Sequence, residues 1–227
     1  MNSLLKKEFL IEAMKNKLPA IIFDLDGTLW DSSKEVTESW NEELKNLGVS
    51  ITFSEEDFAS VMGLPMNELG DILFSSIPDK EERERLLNHC MEFEVSYLCS
   101  HPGKMFPRER EILTLLEKDY SLFILSNCQK GYIEAYLEGC NVSSLFRGHI
   151  SWGDRKKNKN ENISYLIKEH GLGPVLYVGD TLKDQIETNI AGIPFIFASY
   201  GFGEAKEPQY VAKTFSDLLE LTKKILN

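Results

Sequence analysis

The stretch IIFDLDGTLWD, residues 21–31, places carboxylates at the end of an apolar run. Residues 21–23 predict a buried strand, and Asp24 and Asp26 follow it at once. Carboxylates at the end of a buried strand are destabilised by desolvation unless another group compensates their charge. Gly27 then interrupts the strand, so the pattern alone also fits an ordinary strand followed by an Asp-Gly turn. The ends of the other strands decide between a simple turn and a functional site.

Composition and charge indicate a globular protein that does not bind polyanions. The 227 residues are 42% apolar and 11% aromatic, which suffices for one full core and a smaller appendage. The net charge of −11 would repel nucleic acid and anionic membranes, and the basic cluster 154–160 is too short for a nucleic-acid arm. No apolar run reaches the ~20 residues of a membrane span. We therefore expect neither a nucleic-acid nor a membrane partner.

The cysteines and the N-terminal residues favour a cytoplasmic protein. A chain of this size does not need disulfides and has no C-x-x-C pair, so reduced thiols are expected at Cys90, Cys99, Cys128 and Cys140. Residues 1–17 lack the apolar core of a signal peptide because charged side chains interrupt it. Their apolar spacing predicts a short leading helix instead.

Short apolar runs alternate with helix-length segments over most of the chain, which is typical of a parallel sheet with helical crossovers. The strand candidates are 20–25, 121–127, 148–154, 175–180 and 193–198. The helix-length segments between the later strands are 129–139, 160–170 and 182–191. The predicted fold class is α/β, with a Rossmann-like parallel sheet core and helices on both of its faces.

Residues 33–100 depart from this alternation, because they contain helical patterns and no convincing strand. The signals for successive helices are an apolar stripe from Val36 to Leu47, a capping box at Ser54 and Asp57, Pro65, and Asp79. We expect an all-helical cap inserted after the first strand.

Two linkers define the predicted domain boundaries. Residues 32–36 lead out of the sheet, and residues 101–107, with two prolines and a glycine, lead back. The predicted Rossmann-like core domain comprises 1–31 and 104–227, and the predicted helical cap domain comprises 32–103.

The cap is expected to open and close over the site. Segments 31–34 and 101–104 are the predicted hinges, and closure would exclude water from the reaction. The loop 62–68 joins two predicted cap helices, so it is the candidate source of substrate-selecting side chains.

Polar side chains stand at or just beyond the ends of several predicted strands. They are Asp24 and Asp26, Ser126 and Asn127, Asp180 with Asp184, and Lys159 at the start of a helix. Ligands of open parallel sheets bind outside the carboxyl ends of the strands, so these side chains are expected to line one crevice. The donors are all oxygen atoms, without a Cys/His cluster, which favours Mg²⁺ as the cation.

This set of residues fits a site for a phosphate ester. Asp24 can attack phosphorus and form an aspartyl-phosphate, and Asp26 can protonate the leaving alkoxide and then activate water. The groups predicted to hold the phosphoryl oxygens are Ser126, Asn127, Lys159 and the backbone at Gly27. The predicted function is a Mg²⁺-dependent phosphatase, and the predicted partner is a small phosphorylated metabolite.

Four segments together resemble the motifs of the haloacid dehalogenase (HAD) superfamily. They are DLDGTL at 24–29, LSN at 125–127, KNEN at 159–162 and VGDTLKD at 178–184. The helical insert after the first strand is similar to that of the cap-bearing subgroup, which includes phosphoglycolate phosphatases. The resemblance implies that Asp24, the backbone carbonyl of Asp26 and Asp180 bind Mg²⁺. The resemblance also implies that Asp184 is a further ligand or a residue that contacts the ligands.

The third motif departs from the family's pattern. Residues 155–163, RKKNKNENI, carry several lysines and no proline. Lys159 is preferred because it lies at the start of a predicted helix and because cap-bearing relatives carry K-x-E-N-I. Lys157 is the second choice.

Three other functions stay open from the sequence. A phosphomutase similar to β-phosphoglucomutase would use the same aspartates and pass the phosphoryl group to a sugar. A dehalogenase attacks carbon and needs neither Mg²⁺ nor the acid/base Asp26, which argues against it. A non-catalytic module that binds phosphorylated ligands is disfavoured by the full set of acid, base, metal-binding and phosphate-binding residues.

Overall fold

The computed structural model describes residues 19–59, 61, 64 and 66–226, without the side chains of residues 59, 66 and 67. The predicted leading helix within residues 1–17 lies outside this part of the chain. None of the helices in the described ranges has the length and apolar character needed to cross a lipid bilayer.

A sheet of six parallel strands forms the centre of the described chain. Numbered in chain order, the strands are β1 (Ala20–Phe23), β4 (Ser121–Ser126), β5 (Gly148–Ser151), β6 (Val175–Gly179), β7 (Phe195–Ala198) and β8 (Tyr210–Ala212). Their spatial order is β5-β4-β1-β6-β7-β8, so the chain reverses direction across the sheet at β1. The predicted parallel α/β sheet is confirmed, and β8 is an additional strand.

A helical insert separates β1 from β4. Its helices are α1 (Ser33–Asn46), α2 (Glu55–Ala59), α3 (Met66–Leu73) and α4 (Lys80–Ser100). Trp40 on α1 is buried, and its ring packs against those of Phe58 at 5.1 Å and Phe74 at 5.9 Å between centroids. Such aromatic clustering gives the insert an apolar interior of its own. The predicted helical insert is confirmed, whereas its boundaries as a separate domain stay a prediction.

Helices cover both faces of the sheet. After the insert they are α5 (Glu109–Leu116), α6 (Tyr132–Gly139), α7 (Trp152–Arg155), α8 (Lys159–Glu169), α9 (Leu182–Ala191) and α10 (Leu218–Leu226). Successive side chains of a strand point to opposite faces. Accordingly, Phe23 of β1 packs in one apolar cluster with Ile133 of α6, and Ile22 packs in another with Ile163 of α8.

The two chain segments that join the insert to the sheet pair with each other. β2 (Trp30–Asp31) and β3 (Lys104–Met105) form a short antiparallel ribbon. The approach is close enough that a Cβ atom on Gly103 would lie 2.8 Å from the carbonyl oxygen of Asp31. The chain therefore leaves the sheet domain and returns to it at a single place.

The register of the sheet brings the ends of three strands to one edge. Phe23 of β1 pairs with Ile124 of β4 on one side and with Val178 of β6 on the other. Because the strands are parallel, their carboxyl ends lie on the same side of the sheet. Asp24 and Asp180, which follow the ends of β1 and β6, are placed there together.

The predicted strand 148–154 is too long, since β5 ends at Ser151. The N–H of Ser151 donates to the carboxylate of Asp154 at 2.9 Å, and the N–H of Asp154 donates to Oγ of Ser151 at 3.1 Å. This capping box begins the one-turn helix α7 and turns the chain away from the sheet.

Candidate active site

Lys159 lies between two carboxylates at the carboxyl edge of the sheet. Its Nζ atom is 2.9 Å from Oδ1 of Asp24, and it also contacts Oδ1 of Asp184. All three side chains are buried. Burial opposes the charge of Lys159, but Asp184 and Asp24 outweigh it and hold the pKa of Lys159 well above its usual value. The lysine is therefore a fixed cation beside Asp24.

Asp24 occupies the position directly after β1, and its N–H donates to the carbonyl of Val178 at 2.8 Å. Burial, followed by the charge of Asp184, raises the pKa of Asp24 well above its ordinary value, and Lys159 acts in the opposite direction. Its carboxylate is thus buried among charges of both signs, and a further cation would favour the ionised form.

Asp180 follows β6 and is oriented by backbone and side-chain donors. Its Oδ2 atom accepts hydrogen bonds from the N–H groups of Phe202 at 2.8 Å and Gly203 at 3.3 Å. Its Oδ1 atom accepts from the hydroxyl of Thr28 at 3.4 Å. Burial, then the charge of Asp184, raises the pKa of Asp180 to about 7. The side chain is fixed in place, and a neighbouring cation would lower its pKa.

Asp184 closes the N-terminal cap of α9. Its Oδ2 atom accepts hydrogen bonds from the N–H of Thr181 at 3.0 Å and from its hydroxyl at 2.6 Å. The N–H of Asp184 donates back to Oγ1 of Thr181 at 3.1 Å. With its other oxygen on Lys159, Asp184 links the start of α9 to the start of α8.

Asp26 is surrounded by hydrogen-bond donors. Its Oδ1 atom accepts from Tyr132 Oη at 2.8 Å, Trp30 Nε1 at 3.1 Å and Ser32 Oγ at 3.1 Å. Burial raises the pKa of Asp26, and these donors offset part of that increase. A carboxyl in a fixed orientation with a raised pKa is suited to hold and release a proton.

Gly27 has a φ of +72°, in the left-handed region that favours glycine. A Cβ atom on Gly27 would lie 2.2 Å from Oδ2 of Asp180. Its N–H donates to the carbonyl of Trp30 at 3.0 Å. The turn and the approach of Asp180 explain why glycine stands here, and the predicted contact of Gly27 with phosphate stays a prediction.

Ser126 and Asn127, at the end of β4, are buried and line one cavity together with Asp24 and Asp26. Oγ of Ser126 accepts a hydrogen bond from the N–H of Cys128 at 3.4 Å. These two of the predicted phosphate-binding residues therefore lie beside the two predicted catalytic carboxylates.

The two candidate lysines of the third motif differ in position. The side chain of Lys157 is 53% exposed and pairs with Glu161 at 3.4 Å, whereas that of Lys159 is 3% exposed and reaches Asp24. The geometry favours Lys159, and its role in binding phosphate stays a prediction.

The same cavity includes residues that the motifs do not indicate. Tyr132, Glu94 and Gln129 line it, and Tyr132 is the donor to Asp26 described above. Glu94 lies in a strongly charged helical segment whose composition is typical of a solvent-exposed helix, so no sequence signal singles it out.

The loop predicted to select substrate, residues 62–68, is described only in part. Leu64 of the loop lines the cavity, and so does Leu69, which directly follows the loop. Met62, Gly63 and Pro65 lie outside the described residues. The selecting role of this loop stays a prediction.

Three carboxylates of the site could hold a metal ion. One oxygen from each of Asp24, Asp180 and Asp184 lies within 4.8 Å of the other two. A donor set made only of oxygen atoms fits a hard divalent cation such as Mg²⁺. The carboxylate of Asp26 is not part of this group, and metal binding through its backbone carbonyl stays a prediction.

The fold and the site define an α/β enzyme with an acidic centre at the carboxyl edge of a parallel sheet. The family model described as haloacid dehalogenase-like hydrolase matches residues 21–198. The chain belongs to this family.

Curated relatives are similar to the chain over most of its length. A protein named "Probable phosphatase IndB" from Dickeya dadantii is 27% identical over 213 residues, which cover 88% of this chain and 92% of the relative. A "Phosphoglycolate phosphatase" from Synechococcus elongatus is 27% identical over 217 residues, covering 92% and 99%. The predicted enzyme class, a HAD-type hydrolase similar to phosphoglycolate phosphatases, is confirmed.

The fold is also similar to that of solved structures. The crystal structure of "a predicted phosphoglycolate phosphatase" from Haemophilus somnus superposes with a TM-score of 0.79 at 22% identity. The similarity covers 90% of this chain and 98% of that one. At this identity the comparison supports the fold alone.

Proposed function

We propose that the protein is a Mg²⁺-dependent phosphatase that hydrolyses a small phosphate monoester through an aspartyl-phosphate intermediate. The observation that carries the proposal is the ion pair between Asp24 and Lys159 beside the carboxylates of Asp180 and Asp184. A buried nucleophile, a fixed cation and an oxygen-only cluster are the parts that phosphoryl transfer requires.

In the first step, an oxygen of Asp24 attacks phosphorus and the bond from phosphorus to the alcohol oxygen breaks. Asp26, in its protonated form, donates its proton to the departing oxygen, so that a neutral alcohol leaves. The raised pKa of Asp26 favours this protonated form before the reaction. The hydrogen bonds from Tyr132 and Trp30 keep the side chain in one orientation.

In the second step, Asp26 is a carboxylate and accepts a proton from water as the water attacks the aspartyl-phosphate. The phosphorus–Asp24 bond breaks, inorganic phosphate forms, and Asp24 returns to its carboxylate state. The proton accepted by Asp26 restores the starting state of the enzyme.

Three side chains are assigned to the phosphoryl oxygens, two of them at the cavity and one beside Asp24. Lys159 would move part of its interaction from Asp24 to the phosphoryl group, and Ser126 and Asn127 would donate hydrogen bonds from the end of β4. Mg²⁺ held by Asp24, Asp180 and Asp184 would neutralise charge on the phosphoryl group. The names of the relatives, among them phosphatases, are in keeping with this chemistry.

The test is release of inorganic phosphate from an aryl phosphate ester. We expect turnover by the wild-type protein with Mg²⁺, and loss of at least about 1,000-fold in Asp24→Asn, because the nucleophile is removed. Asp119→Asn, the same change on the exposed surface, is the matched control and should retain activity. Comparable turnover after complete removal of divalent cations, or in Asp24→Asn, would overturn the proposal. Transfer of the phosphoryl group to a sugar, instead of to water, would identify the phosphomutase.

A further inference from the structure

A small cavity of about 40 Å³ lies between the catalytic carboxylates and the helical insert. Asp24 and Asp26 form its floor, and the opposite wall is largely apolar, with Val36, Trp40 and Phe58. This volume accommodates only a few non-hydrogen atoms. A small leaving group departing from a phosphoryl group on Asp24 would enter this space, whereas a larger one, such as an aryl alcohol, requires the insert to move away.

Glu94 is a buried carboxyl group on that wall. Only 4% of the residue is exposed, and Oε2 accepts a hydrogen bond from Nε1 of Trp40 at 2.6 Å. Burial, together with the charge of Asp26, raises the pKa of Glu94 to about 8. A carboxyl group buried in an aromatic cluster loses its hydration, which is unfavourable, and Trp40 supplies only one hydrogen bond. A further polar partner is therefore expected.

Gln129 supplies a second polar group next to Glu94. It is 8% exposed and lies near enough to Glu94 to favour the ionised carboxylate. Its Nε2 atom is nevertheless buried, and no hydrogen bond of normal length and angle joins it to Glu94 or to another described residue. An unpaired buried amide N–H is destabilising, and an acceptor in the cavity would satisfy it.

The charged side chains that line the cavity are acidic, without a basic residue among them in the described part of the chain. Among the described residues that line it, three are acidic and none is lysine, arginine or histidine. Above the pKa of Glu94, a leaving group with its own carboxylate would face an ionised Glu94 and no cation among the described residues that line the cavity, which is strongly unfavourable in a buried space. An uncharged leaving group avoids this repulsion.

We propose that Glu94 and Gln129 together bind a neutral hydroxyl group on the leaving alcohol, so that the substrate is a monophosphate of a small diol or polyol. This inference rests on the phosphatase function proposed above. A hydroxyl oxygen accepts from Nε2 of Gln129, and its hydrogen is donated to the carboxyl of Glu94. The hydroxyl oxygen can also accept a hydrogen bond from a protonated Glu94, so a hydroxyl fits either state of that carboxyl.

Other groups of the same size satisfy the pair less well. An ammonium group can donate to Glu94 and is attracted by the carboxylates, but it has no lone pair for Nε2 of Gln129, which stays unpaired. A methyl group leaves both polar groups unpaired, and a carboxylate meets the repulsion described above. A hydroxyl is the group that can form hydrogen bonds with both Glu94 and Gln129.

The experiment compares four phosphate esters that differ mainly at the end of the leaving group. They are 2-hydroxyethyl phosphate, 2-aminoethyl phosphate, n-propyl phosphate and phosphoglycolate. With Mg²⁺, we expect kcat/KM of the wild-type protein for the hydroxyethyl ester to exceed that for each other ester by about tenfold or more. An aryl phosphate ester, assayed in parallel, reports on phosphatase activity itself.

Two variants connect this preference to the proposed residues. In Gln129→Met, the ratio of kcat/KM between the hydroxyethyl and propyl esters should fall to about one, because the amide is lost at similar volume. At about pH 9, where Glu94 is ionised, relative turnover of phosphoglycolate should rise in Glu94→Gln, because a negative charge is removed while an acceptor for Trp40 remains. Gln209→Met makes the same change as Gln129→Met on an exposed residue and should leave the ratio unchanged. Thermal unfolding establishes that each variant is folded.

The outcomes separate the two proposals. If the aryl ester is hydrolysed but phosphoglycolate is the best of the four substrates, the hydroxyl inference is overturned and the phosphatase remains. An unaltered hydroxyethyl-to-propyl ratio in a folded Gln129→Met variant also overturns it. If no ester is hydrolysed in the presence of Mg²⁺, the phosphatase proposal fails and the inference falls with it.

Discussion

The ammonium of Lys159 lies 2.9 Å from the carboxylate of Asp24, deep under the carboxyl edge of the sheet. Because Lys159 also contacts Asp184, one positive charge compensates two buried carboxylates. The stability of the fold and the chemistry of the site therefore depend on the same ammonium group.

Replacing that ammonium should destabilise the fold as well as reduce activity. Lys159→Met leaves Asp24 and Asp184 buried without their cation, which costs about 3–5 kcal/mol in the free energy of unfolding. Added Mg²⁺ should restore part of this loss, because a cation returns to the carboxylates. Urea denaturation with and without Mg²⁺ measures both effects. Lys157→Met, on the exposed neighbour, should change stability little, and equal losses in the two variants would contradict the assignment.

Gly27 and Gly48 allow backbone strain to be separated from steric overlap. Their φ values are +72° and +71°, but a Cβ atom on Gly27 would overlap Asp180, whereas one on Gly48 has nothing within 4 Å. Gly48→Ala should lower the free energy of unfolding by about 1 kcal/mol. Gly27→Ala should cost about 2 kcal/mol more and weaken Mg²⁺ binding, because Asp180 must move. Denaturant unfolding and calorimetric Mg²⁺ titration test this, and similar behaviour of the two variants would argue against a role for the overlap.

The capping box at Thr181 should matter for the site as well as for the helix. Thr181→Val removes the hydroxyl that binds Asp184, with a loss of about 1 kcal/mol in stability. Because Asp184 then keeps only the backbone N–H of residue 181 and Lys159, its orientation is less fixed, and the Mg²⁺ concentration for half-maximal activity should rise several-fold. Thr214→Val breaks a similar capping box with Asp217, further towards the C-terminus. It should affect stability alone, and a shift in Mg²⁺ requirement there would mean that the effect is not local.

Glu109 is expected to make stability fall as pH rises. Its carboxylate is buried and accepts hydrogen bonds from Tyr136 Oη at 2.6 Å and the N–H of Phe106 at 2.9 Å. Burial raises the pKa of Glu109 from 4.5 to about 8. The folded protein thus keeps this proton at pH values where the unfolded chain has released it. Between those two pKa values, the free energy of unfolding should decrease with increasing pH.

Glu109→Gln removes this titration without changing the size of the side chain. From about pH 5 to about pH 9, its stability relative to the wild type should rise by on the order of 3 kcal/mol. Urea denaturation at the two pH values gives the difference. Glu220→Gln, on an exposed residue, should follow the wild type at both. A constant difference between Glu109→Gln and the wild type would show that Glu109 does not titrate in this range.

The placement of the two aspartates that follow strands can be predicted from the sequence, because parallel strands end at one edge of the sheet. Asp24 and Asp180 each follow a short apolar run, and such runs are visible in a single sequence. The sequence identifies Lys159 less directly, because its motif has no proline and contains three lysines. Burial beside Asp24 distinguishes it in the structure.

Other features depend on contacts that local sequence does not encode. Glu94 sits in a charged helix and becomes buried only because α4 packs over the cavity. Tyr132 donates to Asp26 across 106 positions of the chain. The strand predicted over 148–154 is too long for a different reason. The capping box of Ser151 and Asp154, which is local in the sequence, ends the strand at Ser151.

The ribbon of β2 and β3 has a consequence for how the protein can change over evolution. Since the outgoing and returning segments run side by side, the ends of the intervening stretch are about one strand spacing apart, ~5 Å. A tight turn could bridge that gap. The intervening helices can therefore be lengthened, exchanged or removed without altering the register of the sheet. In the proposed mechanism, specificity for the alcohol can then diverge while the residues for phosphoryl transfer are inherited unchanged.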